Sequence, residues 1–262
     1  MEKRILVYGM TTLKGGIESY IMNIYRNLDY SKIIFDFICD FSEIAYYKEI
    51  KKNGSKIYFI PSKRKNLFSH LWQFFRILRI HKEYEIVYFN ILNASAAVSM
   101  IPVKLLRRKV ITHSHNSLDI NMKIHSKFKW LLNKLSDKKL ACSNEAGKYM
   151  YLNNDEYLVI NNAIDIEKFS YSEKIRENLR KKLKIEEKKV LLHVARMDKV
   201  KNPLFLIEIL KKLVSKHRNY ILLYIGKGSL EEEIKEKVKA YKLKEHVVFL
   251  GQVDNVNDYM QV

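Results

Sequence analysis

Two cations in the second half of the chain are placed where they could hold a phosphate group. Val190 to Ala195 is a short apolar run typical of a buried parallel strand, and the loop after it contains Arg196 and Lys201. Asn202 and Pro203 then favour a helix N-cap and a first helical residue. Because a helix start offers backbone N–H groups beside the two cations, this loop suits a phosphate or diphosphate. A solvated loop in a lysine-rich chain is the alternative.

Two pairs of glycines also lie in loops that join a predicted strand to a predicted helix. Gly226 and Gly228 follow the apolar run from Tyr220 to Ile225, and Gly15 and Gly16 follow the first strand of the chain. Such glycines let backbone N–H groups approach a ligand closely, although they could also serve only to permit a turn. Strand, loop and helix in this alternation predict parallel strands with right-handed crossovers, and ligands bind at the carboxyl ends of such strands.

Two histidines end another predicted strand, which runs from Lys109 to Thr112. His113 and His115 would face the same side of an extended segment and could chelate a metal ion, but spacing places no third ligand, so we expect no metal site. Cys39 and Cys142 are too few for a disulfide framework or a zinc site. A reduced, cytoplasmic protein is therefore expected.

Composition limits the class of protein. The chain has 262 residues, of which 47% are hydrophobic, so it can bury the cores of two globular domains. With 48 basic and 29 acidic residues, the formal charge is +19, which indicates an anionic partner. That partner could be nucleic acid, an anionic membrane surface or a phosphorylated substrate. No zinc-finger, basic-zipper or RNA-recognition signature is present, so we expect no nucleic-acid partner.

A predicted helix with basic and aromatic residues favours an anionic membrane surface as one of these partners. The segment from Leu67 to Glu83 reads as an amphipathic helix, with Arg76 and Arg79 on a basic edge and Phe68 and Trp72 beside it. Such an edge could touch anionic lipid. The sequence contains neither a secretory signal nor a run of about 18 apolar residues. We therefore expect peripheral contact at the inner face of the cell membrane at most.

Three stretches around the cationic loop resemble the donor-binding domain of family 4 glycosyltransferases: HVARMDKVKN, LYIGKGSLEEEI and VVFLGQVDNVNDYM. In that family an Arg and a Lys of the first stretch hold the diphosphate of a sugar nucleotide, and they correspond to Arg196 and Lys201. Ala195 and Asn202 replace the glycines usual at those two positions. The resemblance also places Gly226 and Gly228 on the nucleotide side.

The first half of the chain carries further parts of the same resemblance. GGIESY is similar to the glycine loop of the acceptor domain, which implies that the amides of Gly15 and Gly16 also meet the diphosphate. A His followed by Asp or Asn faces the transferred sugar in the family. His115 is the better match for this catalytic position, and His113 is the second. The segment NNAID resembles the pattern found where the family's two domains meet, and it retains Asn162 and Asp165.

The resemblance implies an α/β, GT-B-like fold with two Rossmann-like, doubly wound domains, the second one incomplete. We expect an acceptor-side domain over residues 1–170, a linker and charged helix over 171–186, and a partial nucleotide-sugar donor domain over 187–262. The glutamates that hold the ribose and sugar in the family would lie beyond residue 262. The chain is therefore expected to be C-terminally truncated.

The function implied is a retaining glycosyltransferase without cofactor or metal. It would move a sugar from a nucleotide sugar, expected to be a UDP-sugar, to a cell-surface polysaccharide or a lipid-linked glycan. An inactive truncated remnant of such an enzyme and a basic nucleic-acid-binding protein are the alternatives. A dinucleotide oxidoreductase is disfavoured, because Gly226-Lys-Gly228 lacks the third glycine of the G-x-G-x-x-G pattern.

Overall fold

A computed structural model describes residues 2–118, 122–153 and 156–262. It divides into two compact units, one ending at Ile164 and the other beginning at Asp165. The segment predicted as a linker and charged helix contains a helix from Glu173 to Leu183, which belongs to the second unit. Arg176 in this helix donates to the backbone oxygen of Gln261 at 2.7 Å, which ties the helix to the end of the chain.

The first unit alternates strands and helices around one parallel sheet. The elements are β1 (Lys3–Tyr8), α1 (Gly16–Arg26), β2 (Ile33–Cys39), α2 (Tyr47–Lys52), β3 (Ile57–Phe59), α3 (Leu67–Ile80), β4 (Ile86–Ile91), α4 (Ala97–Leu105), β5 (Lys109–Ser114), α5 (Met122–Leu135), β6 (Lys138–Ala141), α6 (Asn144–Met150) and β7 (Leu158–Val159). The strands run in the order β3-β2-β1-β4-β5-β6-β7, so the chain starts in the middle of the sheet, continues to one edge and then to the other.

Two apolar cores cover the two faces of this sheet. Successive residues of β1 divide between them: Leu6 and Tyr8 enter one core and Val7 the other, as the two-residue period of a strand requires. The first core receives side chains of α3, α4, α5 and α6, and the second receives those of α1 and α2. Helices therefore cover both faces, which is why the central strands read as continuous apolar runs.

The second unit also alternates strands and helices. Its elements are α7 (Ile166–Phe169), α8 (Glu173–Leu183), β8 (Lys189–Val194), α9 (Pro203–Lys216), β9 (Tyr220–Ile225), α10 (Glu231–Ala240), β10 (Val247–Gly251) and α11 (Val256–Tyr259). In its parallel sheet, β9 lies between β8 and β10. One face of the sheet packs against α9 and α10, and the other packs around Ile185, which follows α8. Across the described residues of both units, no helix has the length and apolar character needed to span a bilayer.

Candidate functional site

The cationic loop of the second unit follows β8. Met197 is buried and anchors the loop, whereas Arg196 and Lys201 are exposed. The Nη2 atom of Arg196 lies 3.2 Å from Oδ2 of Asp198, and 61% of the arginine side chain is accessible to solvent. Burial lowers the pKa of His193, and the charge of Lys201 lowers it further. Both predicted cations thus lie at the carboxyl end of this strand and are open to an anion.

Asn202, between Lys201 and the start of α9, has a backbone conformation that the sequence did not predict. Its backbone has φ 46° and ψ 51°, the left-handed conformation, and its side chain makes no capping hydrogen bond. Asn202 is thus the N-cap residue of α9 and Pro203 its first helical residue, as predicted, but the asparagine side chain does not cap the helix. Side-chain capping normally uses an extended backbone at the N-cap residue. The left-handed conformation also accounts for a glycine at this position in the family, since Asn is one of the few other residues that adopt it readily.

Gly226 and Gly228 allow the second loop to pack directly on the cationic loop. Gly226 has φ 139°, and a Cβ atom there would lie 1.9 Å from the backbone oxygen of Ala195. A Cβ atom on Gly228 would lie 2.6 Å from the carbonyl of Met197. The N–H of Met197 donates to the oxygen of Lys227 at 3.1 Å, which joins the two loops. The glycines thus hold the carboxyl ends of β8 and β9 together, and their predicted contact with a nucleotide stays a prediction.

His193 and Tyr224 lie opposite each other near the carboxyl ends of β8 and β9, and sequence reasoning missed them. Their ring centroids are 4.9 Å apart, and the buried His193 Nε2 and Tyr224 OH have no hydrogen-bond partner within the described parts of the chain. Burial, and next the charge of Asp198, raise the pKa of Tyr224 to about 12, so its hydroxyl is protonated. The sequence signal that could have identified them is a polar side chain near the end of each of the two apolar runs, Val190 to Ala195 and Tyr220 to Ile225.

Glu18 organises the glycine loop of the first unit. Its carboxylate is buried and accepts hydrogen bonds from the Thr11 N–H at 2.9 Å, the Thr11 hydroxyl at 2.6 Å and the Gly15 N–H at 3.1 Å. The Gly15 bond is half of a capping box, because Glu18 is the third residue of α1 and reaches back to its N-cap. Three donors and the helix dipole compensate for burying this charge.

The two adjacent glycines differ in their surroundings. The N–H of Gly15 also donates to the oxygen of Leu13 at 3.0 Å, and a Cβ atom on Gly15 would lie 2.8 Å from Glu18 Oε2. A Cβ atom on Gly16 would meet nothing within 4 Å. Gly16 is therefore open to a ligand, whereas the Gly15 amide already has protein acceptors. The assignment of both glycines to a diphosphate stays a prediction.

His113 and His115 lie at the carboxyl end of β5 within a cluster of rings. Their rings stack with centroids 4.2 Å apart, and the ring of Tyr20 lies 4.8 Å from each. Nδ1 of His113 is 2.7 Å from the hydroxyl of Tyr88, and Nε2 of His115 is 2.9 Å from Oδ1 of Asn90. The predicted catalytic residue is thus held by a neighbouring strand, β4, which carries both partners.

Burial keeps both imidazoles neutral. It lowers the pKa of His113 to about 4. Burial and then the neighbouring His113 lower the pKa of His115 to about 3. At neutral pH each ring therefore carries one N–H donor and one nitrogen acceptor. His115 can accordingly hydrogen-bond a hydroxyl group without carrying a charge, and it is not poised as a general acid.

The predicted interdomain residues fall on either side of the division between the units. Asn162 is exposed in the first unit. Asp165 begins the second, where its side chain accepts from the N–H of Lys168 at 3.2 Å and caps α7. Asp165 thus has a local structural role. Throughout the described chain, no three His, Cys, Asp or Glu side chains are grouped closely enough to hold a metal ion.

Comparison with known proteins defines the class. A family model described as Glycosyltransferase Family 4 matches residues 14–168, and one described as Glycosyl transferases group 1 matches residues 175–262. A Bacillus subtilis (strain 168) protein that carries the provisional name of glycosyltransferase EpsF is 25% identical over 282 residues, covering 99% of this chain and 71% of that protein.

Solved structures share the fold over nearly the whole chain. Anabaena Alr3699/HepE in complex with UDP-glucose superposes with a TM-score of 0.81 at 18% identity, covering 98% of this chain and 71% of that one. A glycosyltransferase from Rickettsia africae ESF-5 gives a TM-score of 0.77 at 21% identity, covering 100% of this chain and 71% of that one.

The protein is therefore a glycosyltransferase with the GT-B fold. The chain belongs to glycosyltransferase family 4, since the model of that family matches more than half of the chain. Its two units correspond to the two Rossmann-like domains that the resemblance predicted, and the chain spans about 71% of the length of the relatives it matches.

Proposed function

We propose that the protein transfers a sugar, with retention of anomeric configuration, from a UDP-sugar to a cell-surface polysaccharide or a lipid-linked glycan. The observation that carries this proposal is the loop after β8, where Arg196 and Lys201 are both exposed beside the start of α9. The structures of Anabaena Alr3699/HepE hold UDP, UDP with glucose, or UDP-glucose, which supports a uridine diphosphate donor here.

Arg196 and Lys201 would neutralise the diphosphate as it leaves the sugar. Negative charge on the leaving group grows as the glycosidic bond breaks, so fixed cations contribute most in the transition state. Arg196 would exchange its 3.2 Å contact with Asp198 for phosphate oxygens. Because that ion pair is largely exposed, breaking it costs little, on the order of 1 kcal/mol or less. The proposal needs no metal ion, since these two cations supply the neutralising charge.

His115 is proposed to bind a hydroxyl group of the transferred sugar. Its Nε2 is occupied by Asn90 at 2.9 Å, which leaves Nδ1 as the nitrogen able to meet substrate. If Nε2–H donates to Asn90, Nδ1 is the acceptor, and a sugar hydroxyl can donate to it. In this role the neutral imidazole orients the sugar.

A membrane-bound location is part of the proposal. The formal charge of +19 favours contact with the anionic surface of the inner membrane leaflet, where lipid-linked glycans are found. The acceptor and the enzyme would then meet on the same surface. The enzyme would act as a peripheral protein.

Donor selection tests the proposed function. The protein is incubated with UDP-, GDP- and ADP-sugars together with a lipid-linked acceptor extract, while free nucleotide is measured and the anomeric configuration of the product is read by NMR. We expect release of UDP and a product with the anomeric configuration of the donor. Preference for another nucleotide, or an inverted product, would contradict the proposal. Absence of release from every donor would favour the inactive remnant.

A further inference from the structure

Both tryptophans of the chain are exposed on the first unit. Trp72 in α3 is 55% accessible and Trp130 in α5 is 61% accessible, and Phe68, one turn before Trp72, is 80% accessible. Large aromatic side chains are normally removed from water, so their concentration on one surface marks a contact surface. Tryptophan in particular is enriched where a protein meets the headgroup region of a membrane.

The two tryptophan-bearing helices belong to one layer. The helices α3 and α5 pack on either side of α4, and all three send apolar side chains into the same core on one face of the sheet. The outward positions of α3 and α5 repeat at helical spacing, opposite their buried positions. These outward stripes consist of Phe68, Trp72, Arg76 and Arg79 on α3, and of Lys123, Lys127, Trp130 and Lys134 on α5.

This layer is cationic throughout. Residues 60–80, 92–108 and 122–136 contain twelve Lys and Arg residues and no Asp or Glu. Lys104 has a partner in Asp137 at 2.8 Å, but for Arg76, Arg79, Lys123 and Lys127 the described parts of the chain supply no carboxylate. The helices on the other face of the sheet are different, because α1 and α2 each contain a glutamate.

We propose that the outward stripes of α3 and α5 dock the protein on an anionic phospholipid surface. The arginines and lysines would lie against lipid phosphates, while Phe68, Trp72 and Trp130 would enter the headgroup region. Lys134, whose Nζ lies 4.9 Å from the centre of the Trp130 ring, keeps a cation beside the aromatic group. The aromatic side chains favour lipid over nucleic acid, because they stand on the outer faces of helices and not in a groove that follows a phosphate backbone. This docking face deepens the proposed membrane association and does not depend on the donor.

Vesicle binding by charge variants tests the docking face. The full chain is sedimented with vesicles of phosphatidylglycerol and phosphatidylcholine in equal parts, and with vesicles of phosphatidylcholine alone. Each removed cation should lower the partition coefficient about fivefold. The double variants Arg76→Gln/Arg79→Gln and Lys123→Gln/Lys127→Gln should therefore each lose about 25-fold on the anionic vesicles. Binding to phosphatidylcholine alone should be weak for every variant.

The matched control removes two cations from the opposite face. Lys51→Gln/Lys52→Gln removes two positive charges from α2, where both lysines are exposed, and this variant should keep most of the binding. Equal losses for the α2 and α3 pairs would overturn the proposal, because attraction would then come from net charge alone. Failure of the unaltered chain to bind anionic vesicles would overturn it as well.

A second measurement separates lipid from nucleic acid. Trp72→Ala and Trp130→Ala should each lower vesicle binding about fivefold, as expected for returning a half-exposed aromatic ring to water. Brominated lipid should also quench the tryptophan fluorescence of the vesicle-bound protein. If the protein bound duplex DNA more tightly than vesicles, and neither Trp variant changed vesicle binding, the surface would instead be a nucleic-acid-binding surface. UDP binding measured on the same samples would be unchanged in every case, so failure here leaves the donor assignment standing.

Discussion

Glu18 offers a sharp test of how the glycine loop is held. Glu18→Gln keeps the shape of the side chain but replaces one carboxylate oxygen by an NH2 group. Thr11 and Gly15 present three donors to this carboxylate, so at least one donor would face another donor. A hydrogen bond to a charged group contributes about 1.5–3 kcal/mol, and we expect the first unit to lose about 2–3 kcal/mol of unfolding free energy.

Urea unfolding followed by tryptophan fluorescence measures this loss for the first unit alone, because Trp72 and Trp130 both belong to it. With a slope of about 2 kcal/mol/M, the midpoint should fall by about 1 M. Glu49→Gln is the matched control: it makes the same chemical change in an exposed ion pair with Arg26 at 2.7 Å. The control should lose less than about 1 kcal/mol. Equal midpoints for the two variants would refute the role assigned to Glu18.

Three further predictions concern the remaining site residues. Gly228→Ala places a Cβ atom 2.6 Å from the carbonyl of Met197, so the second unit should lose about 1–3 kcal/mol of unfolding free energy. Hydrogen exchange in β8 and β9 measures this loss, and an unchanged exchange pattern would contradict the packing argument. The first unit should lose stability as pH falls from 6.5 towards 4, because the folded pKa of His113 is about 4 and the unfolded chain takes up the proton first. His113 accounts for up to about 3 kcal/mol of this loss, and His115, whose folded pKa is about 3, also contributes. His113→Gln should therefore make the curve of urea midpoint against pH less steep, and a parallel curve would contradict a buried neutral imidazole at this position. His115→Ala should lower turnover about tenfold with UDP affinity unchanged, and an equal loss of UDP affinity would place His115 elsewhere in the mechanism.

The sequence predicts the strands and the order of the loops well. The strand Tyr220–Ile225 begins and ends as predicted, and α9 begins at Pro203. Both depend on signals that act within a few residues, namely a continuous apolar run and proline at a helix start. The positions of Arg196 and Lys201 at a strand end follow from the same signals.

The sequence could not predict interactions between residues that only the fold brings together. The sequence predicts that the Asn202 side chain caps α9, but its backbone is left-handed and the side chain makes no capping hydrogen bond. Tyr88 contacts His113 from a neighbouring strand, 25 positions away in the chain. Local propensity carries no information about such partners.

The central claim is that Arg196 and Lys201 bind the diphosphate of a uridine nucleotide, and titration of UDP tests it most directly. Arg196→Ala, Lys201→Ala and Lys199→Ala are compared at two salt concentrations; Lys199 is exposed in the same turn and carries the same charge as Lys201. Loss of a charged hydrogen bond costs about 1.5–3 kcal/mol, or roughly ten- to a hundredfold in affinity. The account predicts this loss for Arg196→Ala and Lys201→Ala, and a much smaller one for Lys199→Ala. Equal losses in all three variants that shrink together at high salt would show a solvated basic loop and contradict the diphosphate assignment.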